Sequence, residues 1–143
     1  MMTGRTTAIV AAFAFTLLGQ GCGDDPPVPG TITVSLVSPN ANDGAILFNI
    51  RGPGISNVAP TSSSNQLFWR QTTNDEVKII VVGNLTSGPV ASLDVPDIND
   101  LAGYTTFVEQ VADREDELRP SIDGYEITLP VTQVQGRVTS PLP

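Results

Sequence analysis

The sequence predicts an all-β protein built as a single antiparallel β-sandwich. From residue 31 onward, hydrophobic and polar side chains alternate, which is the pattern of strands that bury one face. Turn residues interrupt this alternation roughly every 8–12 positions, as they do in sandwiches and barrels. The chain has 143 residues, which suffices for one hydrophobic core and is too few for two.

The alternating runs predict the strands in order along the chain. They cover residues 31–37, 45–50, 67–71, 76–82, 90–95, 105–111 and 124–129, with residues 131–138 as a last edge strand. The side chains predicted to point inward include Ile32, Val34, Leu36, Ile46, Phe48, Ile50, Ala91, Leu93, Val95, Tyr125, Ile127 and Leu129. These residues form the candidate core.

Residues 76–82 are predicted to form a central strand, because hydrophobic side chains occupy nearly both of its faces. One face carries Val77, Ile79 and Val81, and the other carries Lys78, Ile80 and Val82. Residues 67–71 are predicted to form a short strand at an edge. Residues 112–119 have helical composition, but they are too few and too polar to form a helix unaided.

The first 21 residues are predicted to be a secretory signal peptide. Arg5 supplies a positive start, and residues 8–18 are apolar except for Thr16. This apolar stretch is too short for a membrane span, which needs about 20 helical residues. The segment is therefore expected to direct export.

The only cysteine of the chain, Cys22, directly follows this segment. Leu18, Gly19, Gln20 and Gly21 precede it, and the pattern resembles the lipobox of bacterial lipoproteins. The resemblance implies that the Cys22 thiol receives a diacylglyceryl group and that cleavage leaves Cys22 as the mature N-terminus. The first predicted partner is thus a membrane, reached through a lipid anchor. An ordinary signal peptide with an unused thiol is the alternative.

Residues 22–30 are predicted to be the lipidated cysteine and a Pro-rich tether. Residues 23–30 hold three prolines, two glycines and two aspartates, which exclude them from a helix or a central strand. In lipoproteins of diderm bacteria the residue after the cysteine influences sorting. Since Gly23 is not an aspartate, the resemblance implies the outer membrane or cell surface rather than the inner membrane. The sandwich domain is predicted over residues 31–143.

The order of strands and turns carries a second resemblance. The residues are Gly-Ala-Ile-Leu-Phe (44–48), Val-Lys-Ile-Ile-Val-Val-Gly (77–83), Ser-Gly-Pro-Val (87–90), Val-Ala-Asp (111–113) and Gly-Tyr-Glu-Ile-Thr-Leu (124–129). Their order resembles the cohesin-type and carbohydrate-binding β-sandwich superfamily over residues 31–130. The resemblance implies a cohesin-like or immunoglobulin-like sandwich with a protein or carbohydrate partner. The chain is also similar to short single-domain bacterial lipoproteins.

Composition excludes several classes of function. The chain has no histidine, which removes Ser–His and Cys–His nucleophiles and every His-ligated zinc site. Seven Lys and Arg against fifteen Asp and Glu give a formal charge of −8, without a basic cluster, so a nucleic-acid partner is excluded. One cysteine allows no intrachain disulfide. No cofactor and no enzymatic activity are predicted.

Two acidic clusters are the candidate metal ligands. The first consists of Asp94, Asp97 and Asp100, with Asn99 between them, and the second of Asp113, Glu115, Asp116 and Glu117. Carboxylates suit Ca²⁺, but the first spacing matches no calcium loop, and Leu118 stands where the second would need a glycine. Both clusters are interpreted as solvated acidic loops, and no metal site is predicted.

Trp69 is the candidate ligand contact. It adjoins Phe68 in a short predicted strand, where one of the two rings must point outward. An exposed aromatic ring of this kind stacks on a sugar or packs on a protein surface. Packing of Trp69 against a sheet edge is the alternative.

These observations predict an exported, lipid-anchored, non-catalytic binding or assembly module of the cell envelope. Two alternatives stay open. One is a structural envelope lipoprotein without a dedicated ligand, and the other is a small carboxylate-dependent glycoside hydrolase, which needs two acids in a cleft. An exposed contiguous apolar patch favours binding, whereas a deep acidic cleft favours hydrolysis.

Overall fold

The computed structural model describes residue 23 and residues 25–130, and this part of the chain is all-β, without helices. Its strands are β1 (Gly30–Val37), β2 (Asp43–Arg51), β3 (Ser56–Pro60), β4 (Gln66–Thr73), β5 (Glu76–Leu85), β6 (Gly88–Val95), β7 (Thr105–Asp113) and β8 (Glu126–Thr128). The fold class predicted from the sequence is confirmed.

The strands form two four-stranded sheets that pack face to face as a β-sandwich. The first sheet has the order β3-β6-β1-β8, and the second sheet has the order β4-β5-β2-β7. Every paired neighbour is antiparallel. β3 lies beside β4 at one side of the sandwich, and β8 lies beside β7 at the other.

The core lies between the two sheets and consists of the residues that the period of two assigns to the inner faces. The strands β1, β2, β5 and β6 bury Ile32, Val34, Leu36, Ile46, Phe48, Ile50, Val77, Ile79, Val81, Ala91, Leu93 and Val95. Phe48 and Ile79 are paired across β2 and β5, and neither has any exposed surface. These two side chains mark the centre of the core.

β5 is central in its sheet, between β4 and β2, as the sequence predicts. Only one of its faces is buried. Ile80 and Val82 on the other face are 38% and 39% exposed, because no described element covers that side of the second sheet.

The pattern of alternation gives no sign of β3. Val58 is its single buried residue, Asn57 has a φ of 49° and Pro60 ends the strand, so the usual period is lost. β8 is also shorter than predicted and covers three residues. Residues 112–119 form no helix, as the sequence predicts. The chain turns back on itself there, and the Asp113 amide donates to the Glu117 carbonyl at 2.9 Å.

The chain is fixed to the sandwich before β1 begins. The Val28 amide donates to Asp97 Oδ1 at 3.2 Å, and the Ile98 amide donates to the Val28 carbonyl at 2.8 Å. The free part of the predicted tether therefore ends before Val28. Three further predictions fall on residues 1–22 and 131–143, which lie outside the described residues: the signal peptide over residues 1–21, the lipidation of Cys22 and the last edge strand over residues 131–138.

Ile79→Ala is expected to lower the free energy of unfolding by about 2–5 kcal/mol, because it removes buried methyl groups and leaves a cavity. Ile80→Ala is the matched control on the exposed face of the same strand, and we expect it to cost less than about 1 kcal/mol. Urea unfolding of both variants measures the difference. Equal losses would contradict the assignment of the two faces of β5.

Candidate binding face

The outer face of the second sheet carries a row of hydrophobic side chains. Phe68 of β4 is paired with Ile80 of β5, which is paired in turn with Leu47 of β2. Phe68 is 59% exposed, and Leu47 is half-buried. Three neighbouring strands thus present apolar surface to solvent at the same level.

Two further hydrophobic side chains lie on the same outer face. Val82 lies next along β5, and Phe107 of β7 is 63% exposed beside Asn49. We call Leu47, Phe68, Ile80, Val82 and Phe107 together the apolar face. A depression of about 450 Å³ lies on it, lined by Leu47, Phe68, Trp69, Arg70, Lys78 and Ile80.

The outer face of the first sheet has a different character. Its outward positions on β1 include Thr31, Thr33 and Ser35, and those on β6 include Ser92 and Asp94. Hydroxyl and carboxyl groups suit a solvated sheet surface. The apolar face is therefore a property of the second sheet and not of both sides of the sandwich.

A polar triad crosses the same outer face. Glu109 accepts from Lys78 Nζ at 3.0 Å and from Asn49 Nδ2 at 2.7 Å, which ties β5, β2 and β7 together through side chains. Asn49 Oδ1 is buried and has no donor among the described residues. The triad fixes the side chains at the rim of the depression.

Arg70 adds a free positive charge to this surface. In the described part of the chain the other cations are engaged, since Arg51 pairs with Glu76, Lys78 with Glu109 and Arg119 with Asp43, and Arg114 donates to the Ala41 carbonyl. Arg70 is exposed and has neither an ion pair nor a hydrogen bond there. Arg70 therefore places an unpaired cation beside the exposed Phe68 on the same face of β4.

The sequence-based interpretations of Trp69 were an exposed ligand contact and packing against a sheet edge, and its position has features of both. It is paired with Ile79, so its side chain starts on the inner side of the sheet, at the edge strand β4. Because no described strand follows β4, Trp69 is 41% exposed. The outward ring of the pair is Phe68. The sequence did not predict the apolar face, although it required the ring of either Phe68 or Trp69 to point outward.

The first acidic cluster is engaged with protein donors. Asp94 accepts hydrogen bonds from Thr31 Oγ1 and Asn57 Nδ2, which join β6 to β1 and β3. These two bonds hold the pKa of the Asp94 carboxyl below its ordinary value, and the bond from Thr31 has the larger effect. Asp97 accepts instead from backbone amides, including that of Val28. The cluster fastens loops and strands.

The second acidic cluster forms a turn. Asp113 Oδ1 accepts from the amides of Glu115 and Glu117, both at 3.0 Å. Within residue 23 and residues 25–130, no three His, Cys, Asp or Glu side chains are grouped as a metal site.

Asp43 is the buried ionisable group of the described chain, with no exposed surface. Its Oδ1 accepts from Arg119 Nη2 at 2.9 Å and from the Tyr125 hydroxyl at 2.8 Å, and its Oδ2 accepts from Ser38 Oγ. The bond to Asp43 is the main reason that the pKa of Arg119 is raised. Both carboxylate oxygens are occupied, so Asp43 serves as a structural anchor.

No protein-family model, curated protein or solved structure matches this chain. The described residues include no helix that is long and apolar enough to cross a membrane. Function is therefore argued from the chemistry of the apolar face.

Arg119→Ala is expected to lower the free energy of unfolding several times more than its control does, because it leaves the buried Asp43 carboxylate without its cation. The control Arg114→Ala removes an exposed arginine five positions earlier in the chain and should cost less than about 1 kcal/mol. Chemical unfolding at neutral pH compares the two. A loss for Arg119→Ala as small as the control would show that the network is not a structural anchor.

Proposed function

We propose that the protein is an exported, lipid-anchored component of the cell envelope that acts as a non-catalytic binding or assembly module, and that it binds through the apolar face of its second sheet. The observation that carries this proposal is the exposure of Phe68, Ile80 and Phe107 on one outer face. Contiguous exposed apolar surface of this kind marks interaction sites in soluble domains.

The fold does not need hydrophobic side chains at these positions. The outward positions of β1 hold Thr31 and Thr33, which suit a strand equally well and remain hydrated. A partner that covers the rings of Phe68 and Phe107 would gain about 25 cal/mol for each Å² of apolar surface removed from water. Arg70 and Lys78 at the margin supply the polar contacts that the rim of an interface requires.

The partner class is a protein or a carbohydrate. Exposed aromatic rings stack on the apolar faces of sugars, and a flat sheet surface also suits a protein partner. The resemblance of the strand order to cohesin-type and carbohydrate-binding sandwiches supports both classes.

The lipid anchor is proposed at Cys22, outside the described residues. Val28 is held by Asp97 and Ile98, so only residues 23–27 separate the sandwich from the anchor. Five residues span at most about 18 Å. This short connection supports a domain that works close to the membrane surface, at the outer membrane or cell surface.

Cys22→Ser is expected to abolish acylation and to release the protein from the membrane fraction, because the thiol is the acceptor of the lipid. Intact-mass spectrometry of the wild-type protein from cells should show acyl chains on an N-terminal Cys22. Any other mature N-terminus would contradict the anchor.

The apolar face is tested separately from the anchor, in the full chain carrying Cys22→Ser. Adding Phe68→Ser and Ile80→Ser should weaken co-sedimentation with envelope fragments at least about tenfold, because the two substitutions remove the apolar contact. The control Val37→Ser replaces a 43% exposed valine on the outer face of the first sheet and should change the affinity less than about twofold.

Circular dichroism establishes that each variant keeps the β fold. Equal envelope affinity for the Phe68/Ile80 variant and the Val37 control would refute binding through the apolar face.

A further inference from the structure

Among the strands that the structure describes, three of the four edge strands are protected against pairing with another chain. β3 is short and ends at Pro60, and β8 has three residues. β7 has irregular register against β2, and the Arg119 amide donates to the Val111 carbonyl at 2.8 Å, which covers part of its edge. Short strands, proline, bulges and covering segments are the usual means of blocking a sheet edge.

The fourth edge, β4, is long and open, and its single register shift lies near its end, between Gln71 and Thr73. It runs over eight residues, Gln66–Thr73, without Pro or Gly, and its register against β5 is regular from Gln66 to Gln71. Arg70 is its single charged side chain, and Phe68 and Trp69 beside it are 59% and 41% exposed. Within the described residues its outer backbone groups face no neighbouring strand.

The side chains of β4 are complementary to a second copy of the same strand. A two-fold axis perpendicular to the sheet would pair β4 antiparallel with its copy and keep both apolar faces on one side. Only axes through residue 69 or residue 70 let nearly the whole strand pair. An axis through Arg70 would set two like charges opposite each other, which is destabilising.

An axis through Trp69 gives a different result. Phe68 and Arg70 lie on the outer face, and this axis sets each Phe68 opposite the Arg70 of the other copy. Directly opposite side chains have Cβ atoms about 4.5–5.5 Å apart, within the range of a cation–π contact. The two Trp69 rings would meet on the inner side, where each is incompletely buried.

We infer that the protein forms a symmetric dimer through antiparallel pairing of β4 with β4 of a second copy, centred on Trp69. Pairing joins the two second sheets into one continuous sheet and satisfies the open backbone groups of both edges. It also gives Arg70 its missing partner. The two apolar faces then form one extended surface on the same side of the dimer.

Cross-linking tests the register in the purified full chain carrying Cys22→Ser, in which an introduced cysteine is the single thiol. Under mild oxidation, Trp69→Cys should form a disulfide dimer at least about tenfold faster than Phe107→Cys, because paired Cα atoms across an antiparallel ladder lie within disulfide range. Phe107 is the control because it is at least as exposed and lies on the opposite edge strand. Faster cross-linking of Arg70→Cys, or equal rates for Trp69→Cys and Phe107→Cys, would overturn the proposal.

Sedimentation equilibrium tests the dimer without removing Trp69. Arg70→Gln should raise the dimer dissociation constant about tenfold through the loss of two cation–π contacts, whereas Arg114→Gln, with the same change of charge, should change it less than twofold. A wild-type chain that stays monomeric would overturn the inference. A monomer is also expected if another segment of the chain covers β4, and the inference is then wrong as well. Since no envelope material is present, failure here leaves the proposed binding function unaffected.

Discussion

The carboxylate of Asp43 is completely buried at the start of β2, and its charge is therefore compensated by protein groups rather than by water. Its donors, Ser38, Arg119 and Tyr125, come from three irregular segments: the loop before β2, the return after β7 and the approach to β8. Gly44 belongs to the same arrangement, because a Cβ there would lie 2.4 Å from the Asp113 carbonyl oxygen. β8 is too short to be fixed by its ladder alone, so this network helps to hold Ile127 over the core.

The second sheet carries hydrophobic side chains on both faces, but only its inner face is covered by another part of the described chain. Its inner residues, such as Phe48 and Ile79, fill the core, whereas Phe68 and Ile80 on the outer face are 59% and 38% exposed. The exposed rings and the open edge of β4 lie side by side, so one region of the molecule gathers its unsatisfied apolar surface, its free cation and its open backbone groups.

The sequence predicts the sandwich well because one face of most strands is buried, and burial imposes the period of two that Ile32, Val34 and Leu36 display. It predicts neither β3 nor the apolar face. β3 contains a left-handed Asn57 and a single buried valine, so it leaves no periodic signal.

The apolar face was missed for a different reason. The sequence around Ile80 shows that both faces of β5 are apolar, but it does not show whether another element covers the outer face. The outward position of Phe107 depends on a register shift between β2 and β7, which the sequence does not show. Arg119 and Tyr125, two of the partners of Asp43, lie 76 and 82 residues away from it in the chain, so no local pattern of the sequence shows their bonds.

The attachment of Val28 determines how mechanical force would enter the domain. A pull on the N-terminal side of the described chain first meets the bonds of Val28 to Asp97 and Ile98, and then acts along the axis of β1. β1 lies between β6 and β8 and is paired with β6 from Gly30 to Leu36. Force along a strand that is bonded on both sides has to shear its hydrogen bonds together instead of opening them one at a time. The N-terminal attachment thus loads the pairing of β1 with β6 in shear.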